Sequence, residues 1–286
     1  MKRMICMLLV FLLLLAAAVP GTGIAEGGFE EEEIDIEDLE DLPETVDIGD
    51  PLWDVPVALE EMNPEFIRLA NKHYLLPENY VPDNLVKVPK DPKKGGIKWK
   101  SAPSEGHQLQ AECAEALCAM NAVMREIDGF QDMYLKSAYR SYRTQKTMYN
   151  NRLKKNKGKD DGWVSKPGAS DHQTGLGCDV IPYNWTKKSG MNDKMMQEKE
   201  CQWMAEHCQD YGFIIRYPAD KKEITEINTE PWHLRYVGIP AATYIMENGL
   251  CLEEFVQELQ EAIENYVAAG GDPAKAEAFI QKPTDP

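Results

Sequence analysis

Apolar residues recur at three- and four-residue steps between Leu109 and Ile127, and Gly129 follows the last of them. This is the spacing of one face of a helix, and glycine is common just beyond a helix end. A second helix is predicted from Ser141, a good N-cap residue, to Leu153. The same pattern predicts three later helices, over Met195–Tyr211, Pro240–Asn248 and Leu252–Ala268.

Shorter apolar runs between the helices predict strands. They lie at Met133–Tyr139, at Asp179–Ile181, at Phe213–Tyr217 and within Ile224–Val237. Because helices and strands are interleaved, we predict an α+β fold with a small, mainly antiparallel sheet flanked by helices. One earlier apolar set predicts a short amphipathic helix ahead of these elements, and it consists of Trp53, Phe66, Ile67, Leu69 and Ala70.

The two ends of the chain do not have the pattern of a packed domain. Residues 26–50 hold thirteen acidic residues and no basic ones. Such a self-repelling sequence predicts a disordered acidic linker. The helical pattern stops before Gly270, so residues 270–286 are expected to form a loose tail. One packed domain is therefore expected over residues 51–269.

Residues 1–25 have the features of an export signal. The basic pair Lys2 and Arg3 precedes an apolar run that ends at Val19 and is short for a membrane span. Small residues up to Ala25 suit cleavage by a signal peptidase. An uncleaved N-terminal membrane anchor is the alternative. Under either interpretation the domain lies outside the cytoplasm.

The net charge of −17 comes mostly from the acidic linker, and the rest of the chain has an ordinary balance of charges. That balance argues against strong affinity for nucleic acid or for anionic lipid. We therefore expect no nucleic-acid partner and no membrane affinity beyond the possible N-terminal anchor. The domain is expected to be a monomer.

Seven cysteines are present, and one of them, Cys6, lies in the N-terminal apolar run. Outside the cell the other six could pair, but the sequence does not choose among the pairings. None of them forms the CxxC pair that is typical of a structural zinc site. One to three disulfides and free buried thiols are equal alternatives.

Candidate chemistry is concentrated around His172 and Asp179, with glycines at positions 175 and 177 between them. If Asp179 begins a strand, the glycines let the loop fold back so that both side chains meet. Cys178 would then point to the opposite face of the strand, as a core thiol rather than a ligand. Taken alone, His172 would be a loop histidine beside a glycine turn.

A second pair, Glu230 and His233, follows later in the chain. An offset of three places residues of a regular strand on opposite faces, but Pro231 favours an irregularity that could turn both inward. Two histidines and an aspartate can hold a zinc ion with the fourth position open for water, and Glu230 can act as a base beside it. Trp232 is expected to be a packing residue, with a platform for the substrate as the alternative.

Arg140 lies between a predicted strand and the helix that begins at Ser141, with Gln145 in the first turns of that helix. Its guanidinium could bind a carboxylate through its planar fork, or it could stabilise an oxyanion. An arginine at a strand end is usually a surface charge. The residue types by themselves leave these interpretations open.

Several segments carry a further signal through their order and separation. They are Leu76–Pro82, Ser137–Tyr142 with Gln145, Lys166–Leu176, Tyr211–Pro218, Glu230–Gly238 and Gly249–Leu250. From about Leu75 to about Glu254 the chain resembles the VanY-type D-alanyl-D-alanine carboxypeptidases, zinc peptidases that trim the peptide stems of bacterial cell walls. The chain departs from that family at Gly177 and Cys178, just before Asp179, where small or β-branched apolar residues are more usual.

The resemblance implies site residues of three kinds, in a cleft over the sheet of the 51–269 domain. The implied Zn2+ ligands are His172, Asp179 and His233. The implied catalytic residues are Glu230, as acid/base, and Arg140, which anchors or polarises the substrate. Gln145 and Ser170 fall where the family contacts the terminal residue of the substrate.

The implied activity is that of a zinc-dependent carboxypeptidase, which removes a C-terminal D-alanine from peptidoglycan stem peptides. Whether the bond is D,D or L,D is left open. An extracellular location, secreted or associated with the wall or membrane, matches such a substrate. Two alternatives are an endopeptidase of the same fold and a non-catalytic wall-binding module. Glu230 argues against the second, because binding alone does not need that residue.

Overall fold

The computed structural model describes residues 56–101 and 105–284. Strands β1 to β7 of this part of the chain form two sheets. They are β1 (Leu85–Lys87), β2 (Lys98–Trp99), β3 (Gln108–Gln110), β4 (Met133–Ser137), β5 (Gly177–Pro182), β6 (Phe213–Ile215) and β7 (His233–Tyr236). Strands β1 and β3 pair antiparallel in the smaller sheet.

The larger sheet has the strand order β2-β4-β5-β7-β6. Strands β2 and β4 are parallel, and each of the other neighbouring pairs is antiparallel. The predicted α+β fold with a mainly antiparallel sheet is therefore confirmed. The register of the central pair places Asp179 on β5 opposite His233 on β7.

The α-helices pack around this sheet. They are α1 (Ala111–Glu126), α2 (Tyr142–Lys155), α3 (Lys199–His207), α4 (Lys222–Thr225), α5 (Ile239–Glu247), α6 (Leu252–Ala268) and α7 (Pro273–Ala276). The sequence predicted α1, α2, α5 and α6 closely, and the Ser141 side chain accepts a hydrogen bond from the N–H of Thr144 as the expected cap. The single helix predicted over Met195–Tyr211 is interrupted, because Glu198 is extended and α3 begins after it.

One hydrophobic core lies between α1 and the larger sheet. Leu117 of α1 packs there with Leu135 of β4 and with Cys178 and Val180 of β5. Neighbouring residues on a strand face opposite ways, so Asp179 points out of this core. The prediction that Cys178 is a core thiol is confirmed by its complete burial.

The six cysteines of the described residues are all free, and all but Cys118 are buried. The structure therefore favours free thiols over disulfides. Burial raises the pKa of the Cys178 thiol well above its ordinary value. A thiol that stays protonated and buried is chemically inert, so Cys178 serves packing.

A second hydrophobic core joins the two ends of the domain. Ile67, near the start of the described chain, packs there with Phe279, near its end. The side chain of Gln281 accepts from the N–H of Leu69 and donates to the carbonyl of Ile67. Residues 270–284, which the sequence led us to expect as a loose tail, are thus packed against the domain, because Phe279 supplies an apolar anchor.

The prediction of a short helix over Phe66–Ala70 is wrong, since Phe66 and Ile67 lie in a turn and residues 68–70 have no regular secondary structure. The carbonyls of Phe66 and Arg68 accept hydrogen bonds from Nη2 of Arg235, at 2.8 and 2.7 Å. Arg235 is completely buried and its guanidinium needs acceptors. This long-range contact overrides the local helical pattern.

Within the described chain, no helix combines the length and the apolar character that crossing a membrane requires. The described residues belong to one compact unit that continues to the C-terminus. The expected export signal or anchor at residues 1–25 and the expected acidic linker at residues 26–50 lie outside them.

Candidate active site

Three buried side chains converge beside the larger sheet, two from neighbouring segments and the third from much later in the chain. His172, Asp179 and His233 each present a ligand-type atom, and these atoms lie within 4.8 Å of one another. Nε2 of His172 lies 3.5 Å from Oδ2 of Asp179. Nδ1 of His233 lies 3.1 Å from Oδ1 of Asp179. The structure thus brings together the three expected ligands, and their binding of a metal stays a prediction.

Two glycines let the chain fold back at His172. This histidine lies in a 3-10 turn over residues 171–174, which ends at Gly175 with a left-handed φ of 69°. Glycine adopts that conformation at little cost. At Gly177 a side chain would clash, since a Cβ there would lie 2.9 Å from Cβ of Asp171. The glycines therefore permit both the turn and the close return of the chain into β5.

The ring of His172 is oriented by a backbone carbonyl. Nδ1 lies 2.8 Å from the carbonyl oxygen of Ala138. Because that oxygen can only accept, Nδ1 carries the proton and Nε2 presents its lone pair towards Asp179. Burial, and then the positive charge of Arg140, lower the pKa of His172 to about 4. The neutral imidazole that results is the form that binds a metal.

The carboxylate of Asp179 is ionised and incompletely satisfied. Burial acts to raise its pKa, but His172 and then His233 lower it below its ordinary range. Its Oδ1 is buried without a hydrogen bond of regular geometry to a described residue. A buried charged oxygen of this kind is costly unless a cation or donor meets it. Two imidazoles and such a carboxylate fit Zn2+ with one position left open.

Glu230 reaches the same side of the sheet through a tight turn. The N–H of His233 donates to the carbonyl of Glu230 at 3.0 Å, which breaks the regular alternation of the strand. As a result, Oε2 of Glu230 lies 3.5 Å from Nδ1 of His233. Burial, and then the charge of Asp179, raise the pKa of Glu230 well above its ordinary value, although Arg140 opposes them. A carboxyl group in this environment can accept and return a proton.

Arg140 approaches the ligand group from the end of β4. Its backbone N–H donates to the carbonyl of His172 at 3.0 Å. Its guanidinium donates to Oε1 of Gln145 at 2.8 Å and to Oγ of Ser137 at 2.9 Å. Both of these acceptors are neutral, so they hold the guanidinium in place without cancelling its charge. The charge remains able to attract an anionic group in the cleft.

All the expected site residues line one cavity of about 410 Å³. They are Arg140, Gln145, Ser170, His172, Asp179, Glu230 and His233. Trp163 also lines this cavity and stacks on the buried Trp232, with ring centroids 6.4 Å apart. Trp163 was not predicted from the sequence, because it lies in a polar, glycine-bearing loop. Trp232 packs as predicted.

A second polar cluster, which was not predicted from the sequence, lies on the other side of His233. Oδ1 of Asp171 accepts from Arg235 at 2.7 Å, and Oδ2 lies 2.8 Å from Nε of Arg216. Arg216 donates in turn to both oxygens of Glu253 on α6, at 2.8 and 2.6 Å. Asp171, Arg216 and Arg235 are completely buried. We call these four residues the arginine network.

The two arginines of the arginine network determine the protonation of the Asp171 carboxyl group. Burial acts to raise the pKa of Asp171, but Arg216 and Arg235 together lower it below its ordinary value. The signal for this cluster was proximity in sequence, because Asp171 adjoins His172 and Arg235 closely follows His233. Only folding shows that the two arginines meet the same carboxylate.

Comparison with known proteins agrees with this geometry. A family model described as VanY, D-alanyl-D-alanine carboxypeptidase, matches residues 106–239, which include all the expected site residues. The protein YodJ of Bacillus subtilis (strain 168), provisionally named as a carboxypeptidase, is 36% identical over 204 residues. That match covers 70% of this chain and 70% of YodJ.

Two solved structures share the fold. The LdcB LD-carboxypeptidase matches with a TM-score of 0.59 and 35% identity, over 69% of this chain and 88% of that one. A mutant of the vancomycin resistance D,D-pentapeptidase VanY, in complex with Zn(II), matches with a TM-score of 0.50 and 29% identity. The second match covers 67% of this chain and 99% of that one. The chain therefore belongs to the VanY family of D-alanyl-D-alanine carboxypeptidases.

Proposed function

We propose that this chain is a zinc-dependent peptidase that releases a C-terminal D-alanine from peptidoglycan stem peptides. The observation that carries the proposal is the convergence of His172, Asp179 and His233 with Glu230 and Arg140 in one cleft. Membership of the family supports it, as do the solved relatives, one an LD-carboxypeptidase and the other a D,D-pentapeptidase with Zn(II).

The zinc ion would be held by Nε2 of His172, a carboxylate oxygen of Asp179 and Nδ1 of His233. When bound, zinc supplies Lewis acidity that lowers the pKa of a water molecule to about 7. The surroundings of these side chains hold them in the protonation states that bind zinc. His172 is neutral with its proton on the far nitrogen, and Asp179 is ionised.

Glu230 is the proposed acid/base. It accepts a proton from the attacking water as the new C–O bond forms at the substrate carbonyl. It then returns that proton to the nitrogen of the departing D-alanine as the peptide C–N bond breaks. The raised pKa of Glu230 suits this exchange, because a strongly acidic carboxyl group would hold the proton too weakly to return it.

Arg140 is the proposed anion-binding residue of the site. Its charge lies over the cleft and is not cancelled by Gln145 or Ser137, so it can attract the substrate's carboxylate or the developing oxyanion. Gln145 also donates to the carbonyl of Ser165 at 2.7 Å, which fixes the amide that holds Arg140. Ser170 lines the same cavity, and we place it beside the terminal residue of the substrate.

The test is to incubate the purified chain with synthetic stem tetrapeptides and pentapeptides and to identify the amino acid released. D-alanine from the pentapeptide alone would indicate a D,D bond, and D-alanine from the tetrapeptide an L,D bond. Loss of cross-links from whole wall, without free D-alanine, would indicate an endopeptidase and contradict the proposal. Binding to wall without turnover under zinc would also contradict it.

We also propose that residues 1–25 direct export and that residues 26–50 act as an acidic spacer before the peptidase domain. A peptidase of peptidoglycan must leave the cytoplasm to meet its substrate, and the basic and apolar pattern before Ala25 suits that role. N-terminal sequencing of the protein recovered from medium, wall and membrane fractions tests this. A mature chain that still begins at Met1 in the membrane fraction would instead indicate an anchor.

A further inference from the structure

The imidazole of His233 presents its two nitrogens to two different environments. Nδ1 faces Asp179 at 3.1 Å and Glu230 at 3.5 Å, on the cleft side. Nε2 faces away from the cleft, with Oδ2 of Asp171 at 3.9 Å. Nε2 and Oδ2 are both buried, and neither makes a hydrogen bond of regular geometry to a described residue.

These two atoms are chemically complementary. A histidine that binds a metal through Nδ1 carries its proton on Nε2, and that N–H normally donates to a carboxylate or a carbonyl. The carboxylate of Asp171 can only accept while it is ionised. An approach of about 1 Å would bring the pair to hydrogen-bond distance. Without it Nε2 of His233 would stay unpaired in the interior, which is costly, so such an approach is favourable.

The arginine network holds Asp171 where His233 needs it. Arg235 donates to Oδ1 of the carboxylate at 2.7 Å, and Nε of Arg216 lies 2.8 Å from Oδ2, the oxygen that faces the imidazole. Arg216 is itself held by two hydrogen bonds to Glu253 of α6. A purely structural salt bridge would explain the burial of these charges, but it would not explain why the carboxylate points at the free nitrogen of a proposed zinc ligand.

We propose that Asp171 is a positioning residue for His233. Its carboxylate accepts a hydrogen bond from Nε2–H of His233 and so presents Nδ1 to the zinc ion, while the arginine network fixes the carboxylate from α6. Asp171 thus serves the ligand that is distant in sequence, His233, rather than only its neighbour His172. This inference rests on the proposed zinc-dependent function.

The first test measures zinc affinity, by competition with a chromophoric chelator, on the full chain stripped of metal. Asp171→Asn keeps the shape of the side chain and removes its charge, and we expect it to weaken zinc binding about 10- to 100-fold. The matched control is Glu200→Gln, at another completely buried carboxyl group, which accepts a hydrogen bond from the N–H of Gln131 at 2.7 Å and belongs neither to the arginine network nor to the candidate site. We expect the control to lower thermal stability but to leave zinc affinity near that of the wild type.

A second measurement does not depend on whether Asp171→Asn folds. Nitrogen-15 NMR of the zinc-loaded wild type, assigned with a His233→Asn variant, reports which ring nitrogen of His233 carries the proton. We expect the proton on Nε2, in slow exchange with water. A proton on Nδ1, or equal zinc affinity in wild type and Asp171→Asn, would overturn the inference while the zinc function stands. Failure of the wild type to bind zinc would instead overturn the proposed function, and the inference with it.

Discussion

Glu230 and Asp171 are carboxyl groups that flank the same imidazole, and their environments shift their pKa values in opposite directions. Burial and Asp179 raise the pKa of Glu230, on the cleft side. Two arginines lower the pKa of Asp171, on the far side, in spite of its complete burial. Burial alone therefore does not decide the protonation of a carboxyl group, since the neighbouring charges determine the outcome.

The two sides also differ in how their charges are balanced. On the cleft side Asp179 keeps a buried oxygen that makes no hydrogen bond of regular geometry to the described part of the chain, and Arg140 is held by neutral acceptors. On the far side the carboxylates of Asp171 and Glu253 meet guanidinium groups within the chain. The cleft side thus keeps charged groups that are available to bind a ligand from solution. The far side is stabilised from within and can hold His233 in place.

The largest expected effect comes from removing the metal, which acts on the cleft side alone. We expect chelation to abolish D-alanine release, because His172, Asp179 and His233 provide no Lewis acid by themselves. Added zinc should restore release, and zinc at a hundredfold excess over its dissociation constant should stabilise the fold by about 2.7 kcal/mol. Activity assays and thermal melts with and without chelator check this. Full activity after exhaustive chelation would contradict it.

Glu230→Gln should lower kcat for D-alanine release by about 10²- to 10⁴-fold, because the amide cannot exchange a proton. Zinc content, measured by mass spectrometry, should stay at the wild-type level, since Glu230 lies outside the ligand group. The matched control is Glu226→Gln, at a partly exposed residue that pairs with Lys72 at 2.8 Å. A variant that lost zinc as well as activity would place Glu230 among the ligands.

Arg216→Met removes one guanidinium from the arginine network on the far side of His233. It leaves the carboxylates of Asp171 and Glu253 without this guanidinium, so we expect the free energy of unfolding to fall by about 3–5 kcal/mol. Urea denaturation of the zinc-free proteins measures this. In the control Arg152→Met, the lost pair with Asp161 is partly exposed, and the expected cost is about 0–1 kcal/mol. Equal losses of unfolding free energy in the two variants would show that the buried network stabilises the fold no more than a partly exposed ion pair does.

The smallest of these effects is a pH dependence of the zinc-free fold. The pKa of His172 is lowered from 6.5 to about 4 in the folded chain. Between these values the unfolded chain binds a proton at His172 that the folded chain does not, so stability falls as the pH falls. The expected loss is about 3 kcal/mol from pH 6.5 to pH 4. Denaturation of the wild type and of His172→Gln across this pH range isolates the contribution of His172. The same pH dependence of the free energy of unfolding in both proteins would contradict the prediction.

Regular elements were predictable wherever local pattern and packing agree. The long apolar stripe of α1 and the Ser141 cap of α2 were predicted from spacing and side-chain chemistry, and the structure has both. The helix predicted over Phe66–Ala70 is absent because Arg235, far along the chain, takes two of its carbonyls. Residues 270–284 are packed because Phe279 finds a core that the local sequence does not reveal.

The candidate site was predictable in composition and only partly in arrangement. The motifs singled out His172, Asp179, Glu230 and His233, and the strand register brings Asp179 opposite His233. The only signal for the arginine network was that Asp171 adjoins His172 and that Arg235 closely follows His233. Trp163 carried no usable signal, since tryptophans in polar loops rarely stand out. The catalytic and metal-binding roles of these residues stay predictions.

The sequence by itself determined the family, the α+β class and the set of groups available for chemistry, because motif spacing and apolar periodicity are local properties. Only the tertiary structure decided which neighbours each of those groups meets. Asp171 and Glu230 differ in pKa because one lies against Arg216 and Arg235 and the other lies near Asp179. Desolvation and charge are set by residues that are close in space and far apart in the chain, which no local pattern records.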